Sequence, residues 1–170
     1  LPWRESIADV IQIQENRDGQ IDLEQLEEKL IQAEIDGKLP KIVIPVHFAG
    51  QPCDMERIYH LGQKYNFYII EDASHALGAK YQNEPVGNCH FSNIAIFSFH
   101  PVKIITTGEG GASMTNEKHL AKKMKLLRSH GITRDENLMT KVPDGVWYYE
   151  QTDLGFNYRM TEIHAALEVS

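Results

Sequence analysis

Short apolar runs alternate with amphipathic segments along the chain, and this alternation predicts strands separated by helices. The predicted helices each follow a capping residue and repeat apolar side chains at three- and four-residue spacing; they cover residues 22–37, 54–65, 116–129 and a final stretch from 161. Short apolar runs predict strands at residues 9–14, 42–46, 67–70, 94–99 and 112–115. The order of these elements predicts the α/β class, as a three-layer helix–sheet–helix fold with a mainly parallel sheet.

Three segments of this pattern carry further expectations. The run at residues 42–46 is apolar at every position, which is typical of a strand buried on both faces. Glu71 and Asp72 end the strand at 67–70, so two carboxylates are predicted at its carboxyl end, where open α/β sheets bind their ligands. Residues 130–153 show little periodicity and are predicted to form an extended or partly mobile loop.

Composition and charge narrow the classes of partner. The chain has 170 residues, of which 42% are apolar, and its net charge of -7 argues against nucleic acid or an anionic membrane surface as a partner. Five basic residues share one face of the helix at 116–129 and are interpreted as a solvated surface; they are Lys118, Lys122, Lys123, Lys125 and Arg128. Two cysteines without paired spacing, and no apolar run long enough to span a membrane, favour a reducing compartment, the cytoplasm.

Lys103 is the candidate for chemistry. It lies in a turn-prone segment, residues 97–111, between two predicted strands, and a glycine cluster follows it. Ile104 and Ile105 come directly after it, and a lysine held among apolar groups loses its proton more readily, as an amine nucleophile must. A solvated surface lysine is the alternative interpretation.

Other kinds of site find weaker support. Asp72 and His75 make at most half of a metal site, so no metal is predicted. The glycines at 108–111 lack the spacing of a phosphate-binding loop of the Walker type, and neither Ser74 nor Ser98 stands in a nucleophile elbow.

Four ordered segments together resemble the signature of the DegT/DnrJ/EryC1/StrS family of sugar aminotransferases, which depend on pyridoxal 5'-phosphate (PLP). The segments are Glu-Asp-Ala-Ser-His-Ala-Leu-Gly at 71–78, Phe-Ser-Phe-His-Pro-Val-Lys at 97–103, Thr-Thr-Gly-Glu-Gly-Gly at 106–111 and Gly-Phe-Asn-Tyr-Arg-Met at 155–160. The nearest branch aminates C4 of a UDP-linked 4-keto-6-deoxy-N-acetylhexosamine, as in pseudaminic acid biosynthesis. The resemblance implies part of the large domain of a fold-type I, aspartate aminotransferase-like enzyme, with glutamate as the expected amino donor.

The resemblance also implies a role for each matching residue. Lys103 matches the lysine that binds PLP covalently and carries a proton during transfer, and Asp72 matches the carboxylate that faces the pyridine nitrogen. His75 matches a position near the phenolic oxygen of the cofactor, and Ser98 matches a phosphate ligand. Asn157 matches a residue that reaches the phosphate in the site of the neighbouring subunit, so the resemblance implies a homodimer with shared active sites.

The chain departs from the family pattern in length and at both ends. Residues 1–170 are expected to be part of the large PLP-binding domain, without the amino-terminal segment and the small carboxyl-terminal domain of the family. Residues 1–20 and 166–170 do not follow the usual pattern, which leaves the activity of this chain itself open. A related PLP-dependent dehydratase, which has histidine in place of Lys103, is one alternative; a non-catalytic fragment that only self-associates is another.

Overall fold

The computed structural model describes residues 10–169, which fall into two units divided between Phe97 and Ser98. The predicted strand at residues 9–14 begins at Asp9, outside the described residues, and residues 10–14 form no strand. Instead, Glu15 and Ile21 pair in an isolated antiparallel bridge across a turn that contains Gly19, whose φ is 73°.

Parallel strands and two helices make up most of the first unit. Its elements, in chain order, are α1 (Leu23–Ile35), β1 (Ile42–Val43), a 3-10 turn (Phe48–Gly50), α2 (Met55–Tyr65), β2 (Tyr68–Asp72), β3 (Lys80–Tyr81), β4 (Glu84–Pro85) and β5 (Ile94–Ser98), whose last residue belongs to the second unit. β2 lies between β1 and β5 and pairs with both in parallel, whereas β3 and β4 form a separate antiparallel hairpin. These elements confirm the predicted α/β class with a mainly parallel sheet.

The predicted caps explain where the two helices of this unit begin. Asp22 accepts hydrogen bonds from the backbone N–H groups of Glu24 and Gln25, and Asp54 accepts one from Arg57. The capping box at Asp22 is only half formed, because the Gln25 side chain accepts from the N–H of Gln14. α2 ends at Tyr65, and the next residue, Asn66, caps it in the left-handed conformation with φ 56°.

The core lies on one face of the sheet. Val43 of β1 and Ile69 of β2 are buried there with Leu30 of α1 and Ile58 of α2, and Ile58 is 0% exposed. Burying a side chain of that size contributes roughly 1.5–3 kcal/mol. The opposite face is open and apolar; its exposed side chains are Ile42, Ile44, Val46, Tyr68 and Ile96. The expectation that residues 42–46 are buried on both faces is therefore wrong, since alternate side chains of this run point to the open face.

Short strands and two helices make up the second unit. In chain order they are β6 (Gly111–Met114), α3 (Lys118–Arg128), β7 (Ile132–Thr133), a 3-10 turn (Glu136–Leu138), β8 (Glu150–Gln151) and α4 (Glu162–Val169). The five basic residues of α3 are exposed, as predicted. No helix among the described residues is long and apolar enough to cross a membrane.

The loop predicted at residues 130–153 is more ordered than its sequence indicates. β7 and β8 pair within it in antiparallel fashion, with Thr133 opposite Glu150. The Glu150 carboxylate accepts hydrogen bonds from the N–H and hydroxyl of Thr140 (2.8 and 2.9 Å), the N–H of Lys141 (3.0 Å) and the hydroxyl of Tyr148 (2.9 Å). One carboxylate therefore ties the middle of the loop to its end.

Candidate active site

Asp72 ends β2 with its side chain half-buried on the face opposite the core. Its backbone is held on both sides, since its N–H donates to the carbonyl of Pro45 (2.9 Å) and its carbonyl accepts from the N–H of His47 (3.0 Å). One carboxylate oxygen, Oδ1, accepts from the N–H of Ser74 at 3.1 Å, and Oδ2 has no hydrogen-bond partner in the described part of the chain. Asp72 thus offers one carboxylate oxygen for a ligand.

Glu71 does not join Asp72 as a second ligand-facing carboxylate, because alternation along β2 turns it into the core. Its side chain is buried, and its two oxygens are already engaged: Oε2 lies 2.8 Å from Nε2 of His47, and Oε1 accepts from the Ser92 hydroxyl. The expectation of two carboxylates at this strand end is therefore wrong for Glu71.

The tautomer of His47 follows from its partners. The ring is 0% exposed, and its Nδ1 accepts a hydrogen bond from the backbone N–H of Cys53 at 3.2 Å. A nitrogen that accepts carries no proton, so the ring proton is assigned to Nε2, which donates it to Glu71. The contact is a hydrogen bond from a neutral imidazole. The spacing of the histidines in the sequence did not indicate this pair, because 24 positions separate the two residues.

The thiol of Cys53 closes the same buried region. Its sulfur lies 2.9 Å from the Gln20 side-chain oxygen and 3.2 Å from the carbonyl oxygen of Val46, so its single proton is shared between these two acceptors, and the residue is 1% exposed. Burial raises the pKa of this thiol to about 11, with smaller contributions from the Glu71 and Asp54 carboxylates. Cys53 is therefore not a nucleophile at neutral pH.

His75 lies three residues beyond Asp72, in a turn that is packed against residues 48–50. Its ring is exposed and stands 6.1 Å from that of Phe48. Gly50 approaches this turn closely, because a Cβ at Gly50 would lie 2.9 Å from the carbonyl oxygen of His75, and its φ is 84°. The glycine therefore permits the contact that holds the turn.

The loop that carries Lys103 is fixed by its own backbone. The N–H of Phe99 donates to the carbonyl of Gly110 at 2.9 Å, and the N–H of Thr107 donates back to the carbonyl of Phe99 at 3.1 Å. Thr107 is 0% exposed, and a Cβ at Gly110 would lie 2.5 Å from its hydroxyl oxygen. These hydrogen bonds bring the two ends of the loop together, and Gly110 is required there because a larger residue would overlap Thr107.

Lys103 stands at the outer end of this closed loop. Its backbone N–H donates to the carbonyl of His100 at 2.9 Å, and its side chain is half-buried. Its amine has no hydrogen bond or ion pair with any residue that the structure describes. Ile104 and Ile105 are 62% and 38% exposed, so they do not form the predicted apolar enclosure.

Ser98 and Asn157 complete the predicted set. Ser98 is half-buried at the end of β5, and within the described residues its hydroxyl makes one long hydrogen bond, which it accepts from the N–H of His100 at 3.4 Å. Asn157 is exposed, and its backbone pairs with Ser129 in an isolated bridge. Asp72 belongs to the first unit, with His75; the other three residues, Lys103 among them, belong to the second.

A sequence profile of the DegT/DnrJ/EryC1/StrS aminotransferase family matches residues 9–170. The chain belongs to this family. It is 41% identical over 153 residues to the UDP-4-amino-4,6-dideoxy-N-acetyl-beta-L-altrosamine transaminase of Campylobacter jejuni, which covers 90% of this chain and 37% of that enzyme. The chain therefore spans well under half the length of the curated relatives that it matches.

Solved structures show the same relationship. PseC of Helicobacter pylori, an aminotransferase involved in the biosynthesis of pseudoaminic acid, superposes with a TM-score of 0.79 at 36% identity, over 94% of this chain and 38% of that one. The PLP form of a putative sugar aminotransferase from Streptococcus pneumoniae superposes with a TM-score of 0.77 at 26% identity, over 98% of this chain and 43% of that one. Both confirm the predicted fold, that of the large domain of the PLP aminotransferases.

The residues present fit the cofactor of this family by the chemistry of their free groups. Counting partners within residues 10–169, Asp72 in the first unit has one carboxylate oxygen without a hydrogen bond, and the imidazole of His75 is exposed. In the second unit, counted in the same way, the amine of Lys103 has no partner and the hydroxyl of Ser98 has one long contact. PLP has a carbonyl carbon that an amine can attack, a ring N–H that a carboxylate can accept, and phosphate oxygens to which a hydroxyl can donate. The free groups of these residues match those needs.

Proposed function

We propose that this protein uses PLP to transfer an amino group from glutamate to C4 of a nucleotide-linked 4-keto-6-deoxy sugar, for cell-surface glycan or related sugar biosynthesis. The observation that carries the proposal is the amine of Lys103, which is half-buried and without a partner in the described residues, on a loop whose backbone is closed by hydrogen bonds. The similarity to altrosamine transaminases over 90% of the chain supports the choice of sugar.

Each proposed site residue has a part that its own chemistry allows. PLP, when bound, would supply a ring that withdraws electrons from the carbon at which nitrogen is exchanged. The amine of Lys103 would hold the cofactor covalently and, once released from it, would move a proton on and off that carbon. Oδ2 of Asp72 would accept a hydrogen bond from the ring N–H and so favour the protonated ring. The Ser98 hydroxyl would donate to the phosphate, and His75 would contact the phenolic oxygen.

Asn157 connects the proposal to assembly. Its exposed side chain has no partner among the described residues, and as an amide donor it suits the phosphate in the site of a second subunit. We therefore propose a homodimer with shared sites, in which residues 1–170 form part of the large domain. Nucleotide sugar and amino acid are the proposed substrates, and the cytoplasm, where both are expected, is the proposed compartment.

The proposal is tested by following nitrogen in the full-length protein. With PLP, ¹⁵N-glutamate and a UDP-linked 4-keto-6-deoxy-N-acetylhexosamine, we expect the label in the sugar product by mass spectrometry. Lys103→Ala should abolish transfer, whereas the matched change Lys80→Ala, at an exposed lysine of β3, should leave it unchanged.

Borohydride reduction followed by peptide mapping locates the covalent attachment. The cofactor label should be found on the peptide that contains Lys103. Label on Lys80, Lys118 or any other lysine, or normal transfer by Lys103→Ala, would refute the assignment.

A further inference from the structure

Hydrogen bonds from both sides hold the end of β2. The residues that make them have no role in the proposed chemistry. On one side, His47 holds the strand twice: its backbone N–H donates to the carbonyl of Asp72 at 3.0 Å, and its ring donates to Glu71 at 2.8 Å. On the other side, Ser92, two residues before β5, donates its hydroxyl to the second oxygen of Glu71. Asn93 extends this side, because its N–H donates to the carbonyl of Ile69 at 3.0 Å and its side-chain oxygen accepts from the N–H of Ile69 at 2.8 Å.

We propose that the buried network of His47, Glu71 and Ser92 positions the Asp72 carboxylate, and that its members are positioning residues of the aminotransferase site. This inference rests on the proposed function, because the position of the Asp72 carboxylate matters for catalysis only if that carboxylate faces the cofactor ring.

The geometry of a strand explains why the network acts on Asp72 in particular. Successive side chains of a strand point to opposite faces, and Glu71 and Asp72 share the peptide unit between them, so the direction of Asp72 is tied to that of Glu71. A rotation of the Glu71 peptide by some degrees would swing Asp72 on the other face. Glu71 is bonded at both oxygens and is 5% exposed, so that rotation requires breaking a buried hydrogen bond.

Without the hydrogen bonds of this network, the Asp72 carboxylate would no longer be held in its direction. Displacement of a reacting or orienting group by about 1 Å can lower turnover on the order of a hundredfold. A residue that only supports the fold would instead lower the amount of folded protein and leave the rate per folded molecule unchanged. A positioning role therefore lowers the rate per folded molecule, whereas a purely structural role lowers only the amount of folded protein.

Ser92→Ala and Glu71→Gln are the variants that separate them. Ser92→Ala deletes one donor at a half-buried position, which keeps the test valid if the buried change Glu71→Gln does not fold. Ser92→Thr retains the hydroxyl and should restore function. Glu27→Gln is the matched control, since Glu27 is a half-exposed residue of α1 that pairs with Lys64 at 3.3 Å.

Amide hydrogen exchange in the cofactor-free protein is the readout that does not depend on activity. We expect Ser92→Ala and Glu71→Gln to speed exchange at the N–H groups of Asp72 and His47, which donate to the carbonyls of Pro45 and Asp72, and to leave exchange in the helix α2 unchanged. Ser92→Thr and Glu27→Gln should exchange like the wild type. Unchanged exchange at both amides in the network variants would overturn the proposal.

Turnover in a double-mutant cycle with Asp72→Asn is the second readout. In the full-length holoenzyme we expect kcat to fall about tenfold in Ser92→Ala and further in Glu71→Gln, with little change in KM for the sugar. On the Asp72→Asn background the same changes should lower kcat by less than about twofold, because the group they act through has lost its charge. Equal effects on both backgrounds would overturn the positioning role alone. Normal turnover of Asp72→Asn would instead refute the proposed role of Asp72.

Discussion

Gly50 offers a stability test of the contact that holds the turn after Asp72. Two terms oppose Gly50→Ala: its φ of 84° costs a residue with a Cβ roughly 1–2 kcal/mol, and the new Cβ would lie 2.9 Å from the carbonyl oxygen of His75. Relieving such an overlap by moving backbone costs about 1–3 kcal/mol more. Gly37→Ala is the matched control, because Gly37 also has a positive φ, 65°, but a Cβ there would meet nothing within 4 Å.

Urea unfolding followed by circular dichroism measures both variants against the wild type. We expect Gly37→Ala to lower the free energy of unfolding by about 1–2 kcal/mol and Gly50→Ala by roughly 2–5 kcal/mol. With an m-value on the order of 2 kcal/mol/M, the extra ~1–3 kcal/mol of the overlap should separate the two midpoints by about 0.5–1.5 M. Equal losses in the two variants would show that the contact with His75 contributes nothing and that the turn is not held by Gly50.

Three further outcomes are expected. Asp72→Asn should retain PLP, measured by absorbance, and lose most turnover, since a neutral amide no longer favours the protonated ring; near-normal turnover would contradict this. The backbone N–H of Thr140 and the hydroxyls of Tyr148 and Thr140 lower the pKa of Glu150 from 4.5 to about 2, so its stabilisation of the loop should be complete above pH 4.5 and be lost as the pH falls through about 2. An NMR titration of Glu150 with a midpoint near 4.5 would refute it. A polypeptide limited to residues 1–170 should self-associate and bind PLP more weakly than the full-length protein, because losing two or three phosphate contacts of roughly 1.5–3 kcal/mol each from other parts of the protein reduces affinity by a few powers of ten. Tight stoichiometric uptake by a monomer, seen by absorbance and light scattering, would contradict that.

Periodicity was enough to predict the helices of this chain. The first two begin within a residue of their predicted caps, because Asp22 and Asp54 accept N–H groups of the first turn, which is a local interaction. The third begins later than predicted, at Lys118, with Glu117 at the cap position. Parallel pairing of β2 with β5 agrees with the predicted alternation of strands and helices.

Interactions between distant residues were beyond the sequence pattern. Glu71 and Asp72 look equivalent at the end of an apolar run, and only the register of β2 against its neighbours shows that one enters the core while the other faces away. Likewise, β7 and β8 have two residues each, too few to show a period of two, and their pairing depends on contacts made across the loop by Glu150. The roles of Lys103 and Asn157 came from resemblance, and they remain proposals.

The buried thiol of Cys53 is a natural probe of local opening near the end of β2. Its thiol has a pKa of about 11, is 1% exposed and is hydrogen-bonded to the carbonyl of Val46, so an alkylating reagent can reach it only when this region opens. The rate of its modification, mapped separately from that of the other buried thiol, Cys89, then reports how often the strand end beside Asp72 loosens. A naturally placed sulfur atom thus allows the stiffness of this strand end to be measured by mass spectrometry without introducing a label.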